Sequence, residues 1–382
     1  MPIHSLFNLP KGVHFLNCAT RGPFSKAVEE AGIEAIQRFT PAIHDIQPDD
    51  FFEAAWRVRG LFSELINNPD SERVAVIPSV SYGMAIVAQN LHRKPNLRAG
   101  QHILIVGEEF PSDVYAWQRV GEQLSLKIET IRQPEAEQVG AEWNARILEA
   151  INANTALVVV PHVHWQSGVK FDLETISKRA KTFGALLAVD GTQSVGALDF
   201  DVQKVQPDAL VCVAYKWLMA PYSLGLAYFG EFFDDGVPLE ETWMGRVESN
   251  LFYKLTDYQA VYRPKAYRYN VGEHSHFIQM PMLEVALRQK LAWTPAAIQT
   301  HCQALWNGIL PELNQKGIVL EPESDRAHHL VGLRLPEGSD AMKIQEQLAK
   351  RKVIVAARGN NIRVSPHLYN TPEDMMALVA AL

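Results

Sequence analysis

Cysteine is scarce in this chain. Cys18, Cys212 and Cys302 stand far apart with no C-x-x-C pair, so neither a disulfide framework nor a structural zinc site is expected to staple the fold. Positive charge is in deficit, with 36 Lys and Arg against 43 Asp and Glu and a net charge of -7. A nucleic acid or an anionic membrane as partner would call for a basic patch, and none is evident. No apolar run approaches the length of a membrane span, and the opening MPIHSLFNLPKGVHF lacks the basic and apolar regions of a secretion signal. Both absences lead us to expect a cytoplasmic protein. No G-x-G-x-x-G follows an apolar run, which leaves a dinucleotide-binding reading little support. What is present is ordinary for a globular protein, 47% hydrophobic and 21% charged residues over 382 positions, a length that predicts two domains.

The chain is organised around residues 185–229, ALLAVDGTQSVGALDFDVQKVQPDALVCVAYKWLMAPYSLGLAYF. One apolar run ends in Asp190, a second at Tyr215-Lys216, and a third follows the turn at Pro221, which reads as three buried strands. In open α/β sheets ligands bind beyond the carboxyl ends of strands, where two of these runs deliver an acid and an amine. A lysine condenses with an aldehyde only when neutral, and burial after LVCVAY favours that form. A carboxylate buried after ALLAV can keep a pyridine nitrogen protonated, which makes the ring an acceptor for electrons released at a substrate carbon. Alone, Asp190 reads as a turn residue and Lys216 as a lysine opening a helix. Together they suggest Schiff-base chemistry.

On either side of this stretch the pattern alternates. RVAVIPS, HILIVGEEF, LKIETI and TALVVVPHV read as strands, separated by the helical SYGMAIVAQNL, SDVYAWQRVGEQL and AEWNARILEAI and followed by DLETISKRAKTFG. The expected fold class is α/β, a mainly parallel sheet covered by helices. From Met280 a helical pattern leads to a smaller α/β unit with LVGLRL, KIQEQLAKR, VIVAAR and NIRVS as its elements. The division expected is an N-terminal segment over 1–24, a large domain over 25–265 and a small domain over 266–382. Ser79-Val80-Ser81 sits at a strand-to-helix junction, where free N–H groups can hold a phosphate. His162-Val163-His164 would place two imidazoles on one strand face, but with no third ligand nearby no metal site is expected.

Asp190-Gly-Thr-Gln193, Tyr215-Lys216-Trp217 and Pro221-x-x-x-Gly225 resemble motifs of the class V aminotransferase family, with local patterns nearest the kynureninase and isopenicillin N epimerase-like branch. The resemblance implies fold type I and pyridoxal 5'-phosphate (PLP) as cofactor. It implies Lys216 as the Schiff-base lysine and Asp190 as the partner of the ring nitrogen. Ser81 with the backbone of Val80, and Tyr215, are then expected at the phosphate, Phe110 stacked on the ring, Asp113 beside it, and Gln193 at the cofactor hydroxyl. Arg363 would bind the substrate α-carboxylate. Trp243 would reach a partner subunit's site, although surface or interface packing explains it equally well. The chain departs from the family pattern at Trp165, near where many members have asparagine, and at Glu273, which replaces a phosphate-binding threonine. The expected function is that of a PLP-dependent, class V aminotransferase-like homodimer acting on an α-amino acid or related amine. A kynureninase-type lyase, an epimerase and a non-catalytic PLP-binding regulator stand as alternatives. No cysteine lies between Cys302 and Leu382, where desulfurases of the family carry their nucleophile, so that route is expected to be closed.

Overall fold

Short runs of apolar residues with no polar alternation become strands buried on both faces. The computed structural model describes residues 3–136 and 139–382. Its strands are β1 His14–Phe15, β2 Val74–Ile77, β3 His102–Val106, β4 Lys127–Ile131, β5 Thr155–Pro161, β6 Leu186–Asp190, β7 Ala209–Val213, β8 Gly225–Phe229, β9 Val331–Arg334, β10 Val353–Ile354, β11 Ala356–Arg358 and β12 Asn361–Val364. Seven of them form the large sheet in the order β2-β8-β7-β6-β5-β3-β4. The strands from β7 to β4 in that order pair in parallel, whereas β8 runs antiparallel to both β7 and β2. Successive residues feed opposite layers. Val74, Val76, Leu104, Val106, Leu187 and Val189 enter one apolar cluster, while Ala75, Ile77, Ile103, Ile105 and Ala188 enter another. That division is what a sheet with helices on both faces requires, and it makes the protein the α/β type that the alternation predicts.

β4 is the exception. KIETI is partly exposed along its length, because it closes one edge of the sheet and only β3 pairs with it. At the other edge, the helix Val80–Asn90 leaves β2 through Ser79, whose hydroxyl accepts a bond from the Tyr82 N–H at 3.2 Å. Ser79 is therefore the N-cap of that helix.

A second sheet, β11-β12-β9, is antiparallel. Its apolar cluster starts with Leu305 and Trp306 and also takes in Leu16 from the N-terminal segment. That segment is tied down by the parallel pairing of β1 with β10 and by a bridge between Asn17 and Ser365. The helix Gln279–Trp293 lies between the two units in sequence, yet its Met280, Leu283 and Leu287 pack into the large sheet's layer together with Val28, Ala55 and Val58. No helix among the described residues is long and apolar enough to cross a membrane.

Candidate active site

The carboxyl ends of β3, β6 and β7 open on one cavity of 210 Å³. Its wall includes Ser79, Val80, Ser81, Phe110, Asp113, Trp165, Asp190, Gln193, Tyr215 and Lys216, so nearly all the residues marked by the sequence meet in one place. Asp190 ends β6 and is 8% exposed; one of its oxygens accepts the N–H of Thr192 at 2.8 Å. Lys216 follows β7, is 9% exposed, and carries its amine 5.7 Å from the centre of the Phe110 ring and 5.8 Å from that of Tyr215. Burial pushes the Lys216 amine down to about 8, against the opposing pull of Asp190. The chain can pass so close to Lys216 only because Gly22 has no side chain: a Cβ there would stand 2.2 Å from the Lys216 carbonyl oxygen. The Gly22 N–H bonds the neighbouring Tyr215 carbonyl at 2.9 Å.

Acids crowd the same wall. Asp113 is 1% exposed, and neither of its oxygens has a bonding partner. Burial, then the charge of Asp190, raises its carboxyl well above the usual range. Glu109 was not singled out by the sequence pattern. Its carboxylate accepts the Phe110 N–H at 2.7 Å, and burial with Asp190 nearby pushes it up to about 8. The signal available for it is an acid at the mouth of β3, directly before the aromatic. Burial and mutual repulsion thus raise both carboxyls, Asp113 and Glu109, in the neighbourhood of a buried amine.

The remaining residues around the cavity are tied to neighbouring segments. Gln193 is in the wall, but its amide donates to the Ala19 carbonyl at 3.2 Å and accepts from the Trp217 indole at 2.9 Å, so both ends are engaged. Trp165 donates its indole N–H to the Glu108 carbonyl at 2.7 Å and stands edge-on to Phe110, with ring centres 5.5 Å apart. Tyr215 packs on Tyr222 at 4.4 Å, and burial with that contact pushes its hydroxyl up to about 12. Ser79 and Ser81 share a hydrogen bond of 2.9 Å at the start of the helix Val80–Asn90. Arg363 reaches the rim from β12, 2% exposed, and donates to the Trp165 carbonyl at 2.9 Å and the Thr20 hydroxyl at 2.6 Å.

Trp243 does not join this cavity within the chain. It lines a separate groove and packs against Phe51, Phe52 and Phe252. Its indole donates to Glu273 at 3.3 Å, so the carboxylate that departs from the family pattern is exposed and bonded there. The two histidines also part: His162 meets Phe200 edge-on, whereas His164 meets Trp143 and shares a 2.9 Å bond with Ser167. Among the described residues no group of three or more His, Cys, Asp or Glu is placed to hold a metal.

The donor set fits PLP. A buried amine whose charged form is disfavoured suits its aldehyde, a buried acid its ring nitrogen, an aromatic face its ring, and a helix start with two serine hydroxyls its phosphate. The family model for class V aminotransferases matches residues 42–378. An uncharacterized aminotransferase of Bacillus subtilis, YcbU, is 26% identical over 355 residues, 92% of this chain and 88% of that protein. The isopenicillin N epimerase of Amycolatopsis lactamdurans is 26% identical over 344 residues, 81% of this chain and 80% of that one. Among solved structures, a C-DES variant with glycine covalently linked to its PLP cofactor superimposes with a TM-score of 0.83 at 17% identity, over 100% of this chain and 98% of that chain. That last match is a likeness of fold.

Proposed function

Because the chain belongs to the class V aminotransferase family, in which PLP is the cofactor, we propose that it transfers the amino group of an α-amino acid. The observation that carries this reading is the meeting of Lys216 and Asp190, from adjacent strands, in one cavity whose rim is bonded by Arg363 from the other sheet. Bound PLP supplies an electron sink for the bond broken at the substrate α-carbon. Lys216 would hold the cofactor and move a proton at that carbon. Asp190 holds the proton on the ring nitrogen. Ser79, Ser81 and the start of the helix Val80–Asn90 receive the phosphate, and Phe110 covers the ring. Arg363 grips the α-carboxylate, which orients the bond to be broken.

The cysteines support transfer of the amine over removal of sulfur. All three are buried. Burial pushes the Cys18 thiol up to about 12 and raises those of Cys212 and Cys302 as well, so none offers a thiolate near neutral pH. A panel of amino acids, each incubated once with the PLP-loaded enzyme and no acceptor, tests the reading. The expected product is the 2-oxo acid, formed in an amount equal to the enzyme. Racemised amino acid, or a cleaved side chain, with no 2-oxo acid would overturn it in favour of an epimerase or a lyase.

Two finer points belong to the same reading. Ile33 and Ile36 in the helix Lys26–Phe39 are 53% and 60% exposed, Ile43 beyond it 59%, and Tyr253 and Tyr258 are 80% and 89% exposed. Apolar surface of that kind supports a homodimer, to be checked by light scattering. Unpaired thiols support a reducing, cytoplasmic setting.

A further inference from the structure

Two arginines, not one, approach the rim of the cavity at Trp165. Arg363 bonds the Trp165 carbonyl. Arg358 ends β11, the antiparallel neighbour of β12, and its guanidinium carbon lies 5.7 Å from the centre of the Trp165 ring. Its Nη1 turns back to the Ala357 carbonyl at 2.8 Å. The Nε of Arg358 and the Nε of Arg363 are both buried without a partner. Among the described residues neither guanidinium forms an ion pair with a carboxylate. The acids that line the cavity, Asp113 and Asp190, come from the chain after β3 and from the end of β6. Burial and the nearby charge of Arg358 push Arg363 down to about 9, and both arginines lower Lys216, so these cations feel one another and the reacting amine. Two partly desolvated like charges without a counter-ion are an unfavourable arrangement until anions arrive.

One guanidinium suffices for an α-carboxylate. A second beside it, with a free Nε and no acid of its own, is a fork for another anion. We propose that Arg358 is a substrate-binding residue for an anionic side chain, and that the enzyme selects acidic α-amino acids. This rests on the reading of the cavity as an amino-acid site given under Proposed function. Neutral side chains would leave the Arg358 charge unpaired in the closed complex, and discrimination follows from that unpaired group as much as from the ion pair an acidic side chain forms with it.

The amides are isosteric controls. With aspartate and asparagine, and with glutamate and glutamine, the wild type is expected to show kcat/KM for the better acid roughly 30- to 100-fold above that for its amide. In Arg358→Gln that ratio falls to near one, and Arg358→Lys restores part of it. Equal turnover of acid and amide by the wild type, or a ratio that Arg358→Gln leaves unchanged, overturns the proposal. A binding experiment separates it from the reaction reading. Calorimetry with the PLP-loaded protein should show succinate binding at least about tenfold tighter than butyrate, an advantage absent from Arg358→Gln. Should succinate bind through Arg358 while no amino acid yields its 2-oxo acid, the reaction reading fails and Arg358 keeps its role. Should neutral amino acids react while succinate binds no better than butyrate, the role of Arg358 fails alone.

Discussion

Lys216 and Lys290 are both buried, and both have amines pushed down by burial, to about 8 and about 7. Their surroundings have little else in common. Lys290 sits inside the helix Gln279–Trp293 at 0% exposure, with its amine 3.3 Å from the His367 imidazole and 4.8 Å from the centre of the Trp293 ring. No acid among the described residues is bonded to it. Lys216 faces a cavity, has Asp190 and Asp113 among the charges that act on it, and lies near an aromatic face. A displaced pKa is therefore a poor marker by itself. What makes a desolvated lysine a reactive one is open volume together with a carboxylate that can govern the partner it takes.

The sharpest way to break this comparison is to exchange the amines. Lys216→Ala is expected to lower turnover on the order of 10³- to 10⁴-fold, and borohydride reduction of the PLP-loaded wild type should fix the label on Lys216. A peptide map with the label on Lys290 would sink the distinction. Next in size is Asp190→Ala, which keeps the amine and removes the carboxylate; a loss of roughly 10²- to 10³-fold is expected, and turnover within a few-fold of wild type would mean that the acid is dispensable. Lys290→Met should act on stability instead. Between about pH 7 and the ordinary lysine value of 10.5, the unfolded chain holds a proton on this amine that the folded chain lacks. Stability thus rises with pH across that window, by about 1.4 kcal/mol per unit for one such group, and the contribution is flat below it. Urea titrations at pH 7 and pH 9.5 should show the wild type gaining on Lys290→Met as pH rises; parallel behaviour of the two proteins would contradict the burial of a neutral amine. The smallest effect belongs to the three buried thiols. A variant with Cys18, Cys212 and Cys302 all changed to alanine should turn over its best substrate as the wild type does, and loss of activity in a folded, PLP-loaded variant would place a thiol in the reaction.

The contrast also marks where the sequence is legible. Lys216 and Asp190 stand at the ends of uninterrupted apolar runs, and a strand buried on both faces converts such a run directly into a position in the fold. The alternation over the large sheet is readable for the same reason. Arg358 and Glu109 are not, because what distinguishes them is made by distant chain: Arg358 gains its setting from Trp165, and Glu109 from Asp190. Trp243 and Glu273 come from separate motifs and bond each other at a distance from the cavity, a pairing that local spacing does not encode. Lys290 reads in sequence as one more polar position on a helix. Its burial comes with the approach of Cys18 and His367 from other segments.

The topology of the sheets also orders events in time. Among the described residues, β2 has β8 as its only neighbour in the large sheet, and β1 has β10. A chain emerging from the ribosome carries Val74–Ile77 as an unpaired apolar edge until Gly225–Phe229 has been made, a long interval in which a sticky segment waits for its partner. The serines beyond β2 cannot take their place over the cavity before that moment. Thr20 waits still longer for Arg363, 343 positions further along the chain. Asp190 and Lys216 are both translated between these two residues, so the wall of the cavity is made before the contact that ties its rim.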